Sequence, residues 1–250
     1  MIFVTADTHG SFSRFKKIKQ FCKEHNTTTD DVMIILGDSG INYYEDKRDV
    51  KLKKYISKIP ITFFCIHGNH EQRPYTIKTY KNTPLYWSDT TKRFHSPVYK
   101  EEEFPNILFA WDNTFYHLQG EDFIVYGGGY SVDKDYRLAM QVIGYKDYKY
   151  WENELPTEGM IDYWKHTLYL RKMFSDNPII LTHTCPKKYL PYEAFLPNID
   201  QSTVDNSLEE FLDYVEENVD YKAWYCGHFH INKQIDKVRF VYDDIVLIKE

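Results

Sequence analysis

The chain has 250 residues, 42% hydrophobic and 27% charged, a globular composition with apolar material for a sizeable core. A formal charge of −6 with no long basic run argues against binding long nucleic acids through their phosphate backbone. Cys22, Cys65, Cys185 and Cys226 form no C-x-x-C pair, which excludes a zinc ribbon or thioredoxin-type motif.

Residues 1–6 read as a first strand, and residues 12–25 as a helix with Phe12, Phe15, Ile18 and Cys22 on one stripe. A second strand over 32–36 ends at Gly37-Asp38. A helix with Val50, Tyr55, Ile56 and Ile59 inward follows it. A third strand over 61–66 ends at His67-Gly68-Asn69-His70. The order β-α-β-α-β predicts a largely parallel sheet. Segments 106–111 and 122–127 add two strands before the turn Gly127-Gly128-Gly129. Residues 130–158 are rich in Tyr, Asp and Lys without a clear period, and read as a loop or an insertion over the site. A helix over 159–174 and a strand over 179–182 lead to His183. Ser207 and Glu210 form a predicted capping box ahead of the stripe Leu208, Phe211, Leu212 and Val215. Strand 223–226 delivers His228 and His230, and two β-rich runs around Asp243-Asp244 predict a closing hairpin. The early position of Asp7 and the lack of a long apolar stretch predict neither a signal peptide nor a membrane span. Cysteines in apolar segments suit a cytoplasmic protein.

The polar residues at the strand ends carry the chemistry. Asp7-x-His9, Asp38, Asn69-His70, His183 and His228-x-His230 each follow an apolar run, so one rim of a sheet gathers carboxylate, imidazole and amide groups. The set contains oxygen and imidazole but no thiolate, which selects Mn²⁺, Fe, Zn²⁺ or Ni²⁺ over a structural zinc. Two such ions about 3.5–4 Å apart can clamp a phosphate for in-line displacement. Asp38, standing alone between the other slots, suits the bridging position.

Taken in order, the motifs D-x-H, G-D, G-N-H-E, H and G-H-x-H resemble the calcineurin-like metallophosphoesterase superfamily over nearly the whole chain. The resemblance implies one domain over residues 1–250. Its implied fold is α/β, with two mixed β-sheets in a sandwich flanked by helices and a dinuclear metal site at the strand ends. Carried over by motif, Asp7, His9, Asp38 and His230 would hold one divalent ion, with Mn²⁺ favoured. Asp38, Asn69, His183 and His228 would hold the other. His70 resembles the family histidine that contacts the scissile phosphate and assists the leaving group. The protein Ser/Thr phosphatase branch follows its G-D with an Asp-Arg-Gly segment. Here the chain reads Ser39-Gly40-Ile41-Asn42, so phosphoprotein specificity does not carry over. Arg73, Lys134 and Arg137 are candidate replacements for that phosphate grip.

The expected function is therefore a dinuclear metal-dependent hydrolase of phosphate esters, a phosphatase or phosphodiesterase. A metal-bridging hydroxide would attack phosphorus, assisted by His70. Small phosphate esters, nucleotides and phosphoproteins are candidate substrates, with Tyr43-Tyr44 and the Tyr-rich 130–150 stretch as a surface for a base. The alternative is a catalytically silent scaffold of the same fold. Such scaffolds lose ligand slots or the histidine beside the asparagine, and here all are filled.

Overall fold

The computed structural model describes residues 1–82, 89–172, 177–197 and 199–250. Its described strands are β1 (Ile2–Thr5), β2 (Val32–Leu36), β3 (Thr62–Ile66), β4 (Lys81–Asn82), β5 (Val98–Lys100), β6 (Ile107–Ala110), β7 (Thr114–Leu118), β8 (Glu121–Tyr126), β9 (Ile179–Thr182), β10 (Ala223–Cys226), β11 (Lys233–Ile235), β12 (Val238–Phe240) and β13 (Val246–Lys249). The helices are α1 (Phe12–Glu24), α2 (Lys47–Ile56), α3 (Asp89–Phe94), α4 (Lys134–Val142), α5 (Glu158–Lys172) and α6 (Ser207–Asn218). Residues 173–174 of the expected 159–174 helix lie outside the described residues.

One sheet runs β13-β1-β2-β3-β6-β5-β4 and the other β11-β12-β10-β9-β8-β7. The expected parallel core is present: β1, β2, β3 and β6 pair in parallel, as do β8, β9, β10 and β12. Antiparallel edge strands make both sheets mixed.

Alternation along the strands builds four layers. Val4, Ile34, Phe64 and Leu108 of the first sheet meet Tyr116, Val125 and Leu181 of the second in the central core. Phe3, Met33, Ile35 and Phe63 point the other way, onto Phe15, Ile18 and Cys22 of α1 and Leu52 and Ile56 of α2. Ile124, Ile180 and Trp224 pack outward on Ile161 and Trp164 of α5 and Leu208 and Phe211 of α6. Both faces of the inner strands are covered, which is why they read as unbroken apolar runs.

Several local expectations are corrected. Val50 is exposed, and α2 turns Asp49 and Lys53 inward with Leu52 and Ile56. Asp49 accepts from the amides of Tyr44 and Glu45, and Lys53 pairs with Glu101 at 2.6 Å, so polar partners replace the expected apolar ones. Phe12 is largely exposed and lies edge-on against Tyr55. The tail does not close as one hairpin: β11 and β12 form a hairpin in the second sheet, whereas β13 crosses to pair with β1 in the first.

The Ser207–Glu210 capping box is absent as well. Asn206 is the N-cap of α6, and the Ser207 amide donates to Asp205 instead. The buried acid of that turn is Glu209, whose Oε1 accepts from Thr184 Oγ1 at 2.7 Å while Oε2 has no partner. Burial pushes its carboxyl up to about 7 from the ordinary 4.5. Between those pH values the folded state keeps a proton that the unfolded chain has released, so stability falls as pH rises through the window. We expect Glu209→Gln to remove up to ~3 kcal/mol of that pH-dependent loss. Melting of the metal-free protein at pH 5 and pH 8 checks this. Equal pH sensitivity in variant and wild type would refute it.

Candidate metal centre

The expected rim exists. Asp7 and His9 follow β1, Asp38 follows β2, Asn69 and His70 follow β3, His183 follows β9, and His228 and His230 follow β10. His9 and His230 bring their Nε2 atoms to 3.0 Å, and His230 Nε2 lies 3.8 Å from Asp7 Oδ1. His183 Nε2 lies 2.9 Å from Asn69 Oδ1 and 3.2 Å from His228 Nδ1. Asp38 stands between the two groups, with Oδ2 3.9 Å from His9 Nε2 and Oδ1 3.6 Å from His183 Nε2. Among the described residues, three candidate ligand triads lie within 4.8 Å: Asp7-His9-His230, His9-Asp38-His70 and Asp7-Asp38-His183.

The backbone aims these groups. Asp7, His9, Asp38, His228 and His230 all have positive φ, from 46° to 70°. Left-handed backbone is uncommon outside glycine and concentrates where function fixes a side chain. Here it folds each chain back over its strand end. The glycines of the motifs supply room. Gly37 has φ +82° and lies against the His183 ring; Gly68 lies against the Asp38 carboxylate. The carboxylates are also tied down: Asp38 Oδ1 accepts from the His70 amide at 2.8 Å, and Asp7 Oδ2 from the His228 amide at 3.0 Å.

The donor set fits cations. His183 Nδ1 lies 2.8 Å from the Leu36 carbonyl oxygen. The ring proton therefore sits on Nδ1, and Nε2 presents a lone pair. Asn69 Nδ2 donates to Ser131 Oγ at 2.8 Å, which fixes Oδ1 toward His183. In the neutral ring two acceptors would thus face each other at 2.9 Å. A positive ion resolves that contact.

The electrostatics agree. Burial and the neighbouring Asp38 charge push Asp7 well above the usual carboxylate range. Asp38 is equally buried, yet the imidazoles of His183, His70 and His9 hold it low. Burial lowers His9 and His228 and brings His70 and His230 to about 4, so these rings are neutral near pH 7.

The groups that brace the ligands come largely from residues that the motifs do not specify. Ser131 orients Asn69, and its amide donates to Glu154 Oε1 at 3.1 Å. Glu71 is buried, its carboxyl pushed up to about 7 by burial, and takes hydrogen bonds from Ser39 and Gly68. Tyr242 stacks on His230 at 4.7 Å. His67 is buried beside the site with Nε2 3.0 Å from the Glu71 carbonyl oxygen.

The three candidate phosphate grips separate. Arg73 is buried and committed to Asp112 and the Asn153 carbonyl. Lys134 lies over the Tyr150 ring. Of the three, Arg137 alone reaches the centre. The 130–158 segment is no simple loop, because it contains α4, whose one buried side chain is Arg137. Its Nη2 contacts both ring nitrogens of His70, while Nε donates to Asp133 at 2.7 Å and Nη1 to the Lys149 carbonyl at 2.9 Å. The Asp133-x₃-Arg137 spacing is visible in the sequence, whereas the apolar residues at helical spacing, such as Tyr136 and Ile143, stay exposed and do not mark the packed face. Tyr43 and Tyr44 are not an open surface for a base. Tyr43 packs edge-on against Trp151 and bonds the Asp147 carbonyl, and Arg48 covers the Tyr44 ring.

A four-layered α/β sandwich with carboxylates and imidazoles at one rim of its strands defines a metallophosphoesterase-type protein. The chain belongs to the calcineurin-like phosphoesterase family, whose sequence model matches residues 1–232. Membership supports phosphoester hydrolysis as the class of chemistry and implies divalent metal ions. No curated protein matches the chain. Among solved structures it is similar to TT1561 of Thermus thermophilus, at 14% identity and a TM-score of 0.50, over 96% of this chain and 87% of that one. It also aligns with a putative 5'-nucleotidase from Staphylococcus aureus at 15% identity and TM-score 0.46, covering 96% of this chain and 48% of the other. A third alignment, with the phosphopantetheinyl hydrolase of Mycobacterium tuberculosis, has 12% identity and TM-score 0.43, covering 97% and 89%. At these identities the likeness to the first is one of fold.

Proposed function

We propose that the chain is a single domain that hydrolyses small phosphate esters at two divalent cations, with Mn²⁺ the favoured ion. Asp7, His9, Asp38 and His230 would hold one ion; Asp38, Asn69, His183 and His228 would hold the other. The convergence of His183 Nε2 on Asn69 Oδ1 at 2.9 Å and on Asp38 Oδ1 at 3.6 Å carries this reading. Bound there, the two cations would supply a nucleophile at neutral pH and neutralise charge on the phosphate.

The chain's own residues do the rest. Asp7 and Asp38 set the charge of the pocket. His70, partly buried beside Asp38, is placed to hydrogen-bond a phosphate oxygen and, once it has taken up a second proton, to pass that proton to the departing oxygen. Arg137 fixes the His70 ring and brings the one guanidinium of the expected three to the phosphate position. A cytoplasmic setting belongs to the same proposal and is supported by four free, buried cysteines. Among the described residues no helix is long and apolar enough to cross a membrane.

The test is turnover of p-nitrophenyl phosphate and bis-p-nitrophenyl phosphate with added Mn²⁺. We expect His70→Ala to lose about 10²–10⁴-fold in kcat with the metal content unchanged. In the same assay Arg137→Gln is expected to raise KM more than it lowers kcat. The preferred ester assigns phosphatase or phosphodiesterase. Full activity in His70→Ala would remove His70 from the mechanism. No turnover of either ester by metal-loaded wild type would favour the scaffold.

A further inference from the structure

The candidate metal centre opens into a cavity of about 510 Å³. His9, Asp38, Asn69, His70 and His228 line one end of it. The opposite walls come from the segment between β9 and α6 and from the turn after β10. They carry Leu190, Phe195, Leu196, Ile199, Val204 and Ile231. That segment contains only short turns of 3-10 helix among its described residues. Five of these six side chains are half-buried, and Leu196 is 61% exposed. Apolar groups held around a concave, partly wet space gain from a ligand that removes them from water.

Resting on the hydrolase reading above, we propose that this cavity binds the leaving group of the substrate, and that the group is an uncharged aliphatic chain. Three observations select that chemistry. First, among the described residues no lysine or arginine lines the cavity, whereas the acids Asp133 and Glu209 do. No cation of the lining would meet a second phosphate beyond the scissile one, which disfavours nucleoside polyphosphates. Second, the phenylalanine rings of the wall are already engaged, and the phenol ring on the lining, that of Tyr130, points its hydroxyl to the Thr203 carbonyl oxygen at 3.4 Å. Phe195 and Phe229 stack on each other at 6.1 Å and 15°, and Tyr192 packs on Phe195 at 5.2 Å. Third, the remaining apolar wall is aliphatic, which gives a flexible chain contact along its length without demanding hydrogen bonds. The phosphate would sit at the metal end and the chain would run toward Leu196.

The test uses ethyl, hexyl and decyl phosphate below micelle formation, AMP as the nucleotide comparator, and Mn²⁺-loaded protein. We expect kcat/KM to rise about threefold for each added methylene until the cavity is filled. In Leu196→Asp the decyl-to-ethyl ratio should collapse toward one, and Leu196→Met should restore it. Leu196 is exposed, so neither change threatens the fold. Equal rates along the alkyl series would overturn the inference and leave the hydrolase standing. A preference for AMP over hexyl phosphate of about tenfold or more would overturn it in favour of a nucleotide. If no ester is turned over, the hydrolase reading fails instead. Calorimetric binding of the non-hydrolysable decylphosphonate then decides the cavity. Tighter binding than ethylphosphonate, weakened by Leu196→Asp, supports it. Equal binding overturns it.

Discussion

Asp38→Asn is expected to lower turnover by at least ~10³-fold and to reduce the bound metal below two ions per chain. In the proposed assignment Asp38 is the group common to both clusters, and it points one oxygen toward His9 and the other toward His183. Asparagine keeps the shape but removes a negative charge. It also turns one of those oxygens into a donor facing imidazole lone pairs or a cation. A shared carboxylate supplies several kcal/mol of charge stabilisation, and each 1.36 kcal/mol is tenfold in rate. Elemental analysis of the purified variant, beside p-nitrophenyl phosphate turnover, is the check. Two retained ions with near wild-type rate would sink the bridging assignment.

The second large effect is expected at a residue with no functional group. In Gly68→Ala the new Cβ would lie 2.1 Å from Asp38 Oδ1 and 2.3 Å from Asp38 N. The second of these is backbone, so no rotamer change relieves it. The loop after β3 must move away from the loop after β2, and it carries Asn69 and His70 with it. Overpacking of this kind costs about 1–3 kcal/mol, and we expect the upper end here. Metal affinity should fall together with the melting temperature. A variant that melts and binds Mn²⁺ like the wild type would show that the two loops separate freely.

Legibility follows the physics of each element. Strands buried on both faces appear as apolar runs, so β1, β2, β3 and β9 are readable in the sequence with the candidate ligands at their ends, and β10, half-buried on one face, is still apolar throughout. β7 is not, because its outward residues Phe115 and His117 are only half-buried, which leaves no clear boundary with β8. α4 is hidden because it packs through a polar side chain: Arg137 is held by Asp133 and the Lys149 carbonyl. The left-handed backbone at five candidate ligand positions leaves no trace in residue type, since all five are Asp or His rather than glycine. The Ser207–Glu210 pattern misleads because Asn206 and Asp205 offer competing caps. Arg73 reads as a candidate phosphate grip and is instead buried against Asp112, a partner 39 residues away that no local pattern could supply.

The pairing of β13 with β1, and the meeting of His9 with His230 across 221 positions, carry a consequence for biosynthesis. A ribosome-bound chain that has emerged only through Cys226 holds Asp7, His9, Asp38, Asn69 and His183, but neither His228 nor His230. Neither ion would yet have its full set of ligands. Loops this long close late in folding. On the proposed assignment the centre would mature only after residue 230 has emerged, and metal capture would discriminate chains that reach it from chains truncated before it.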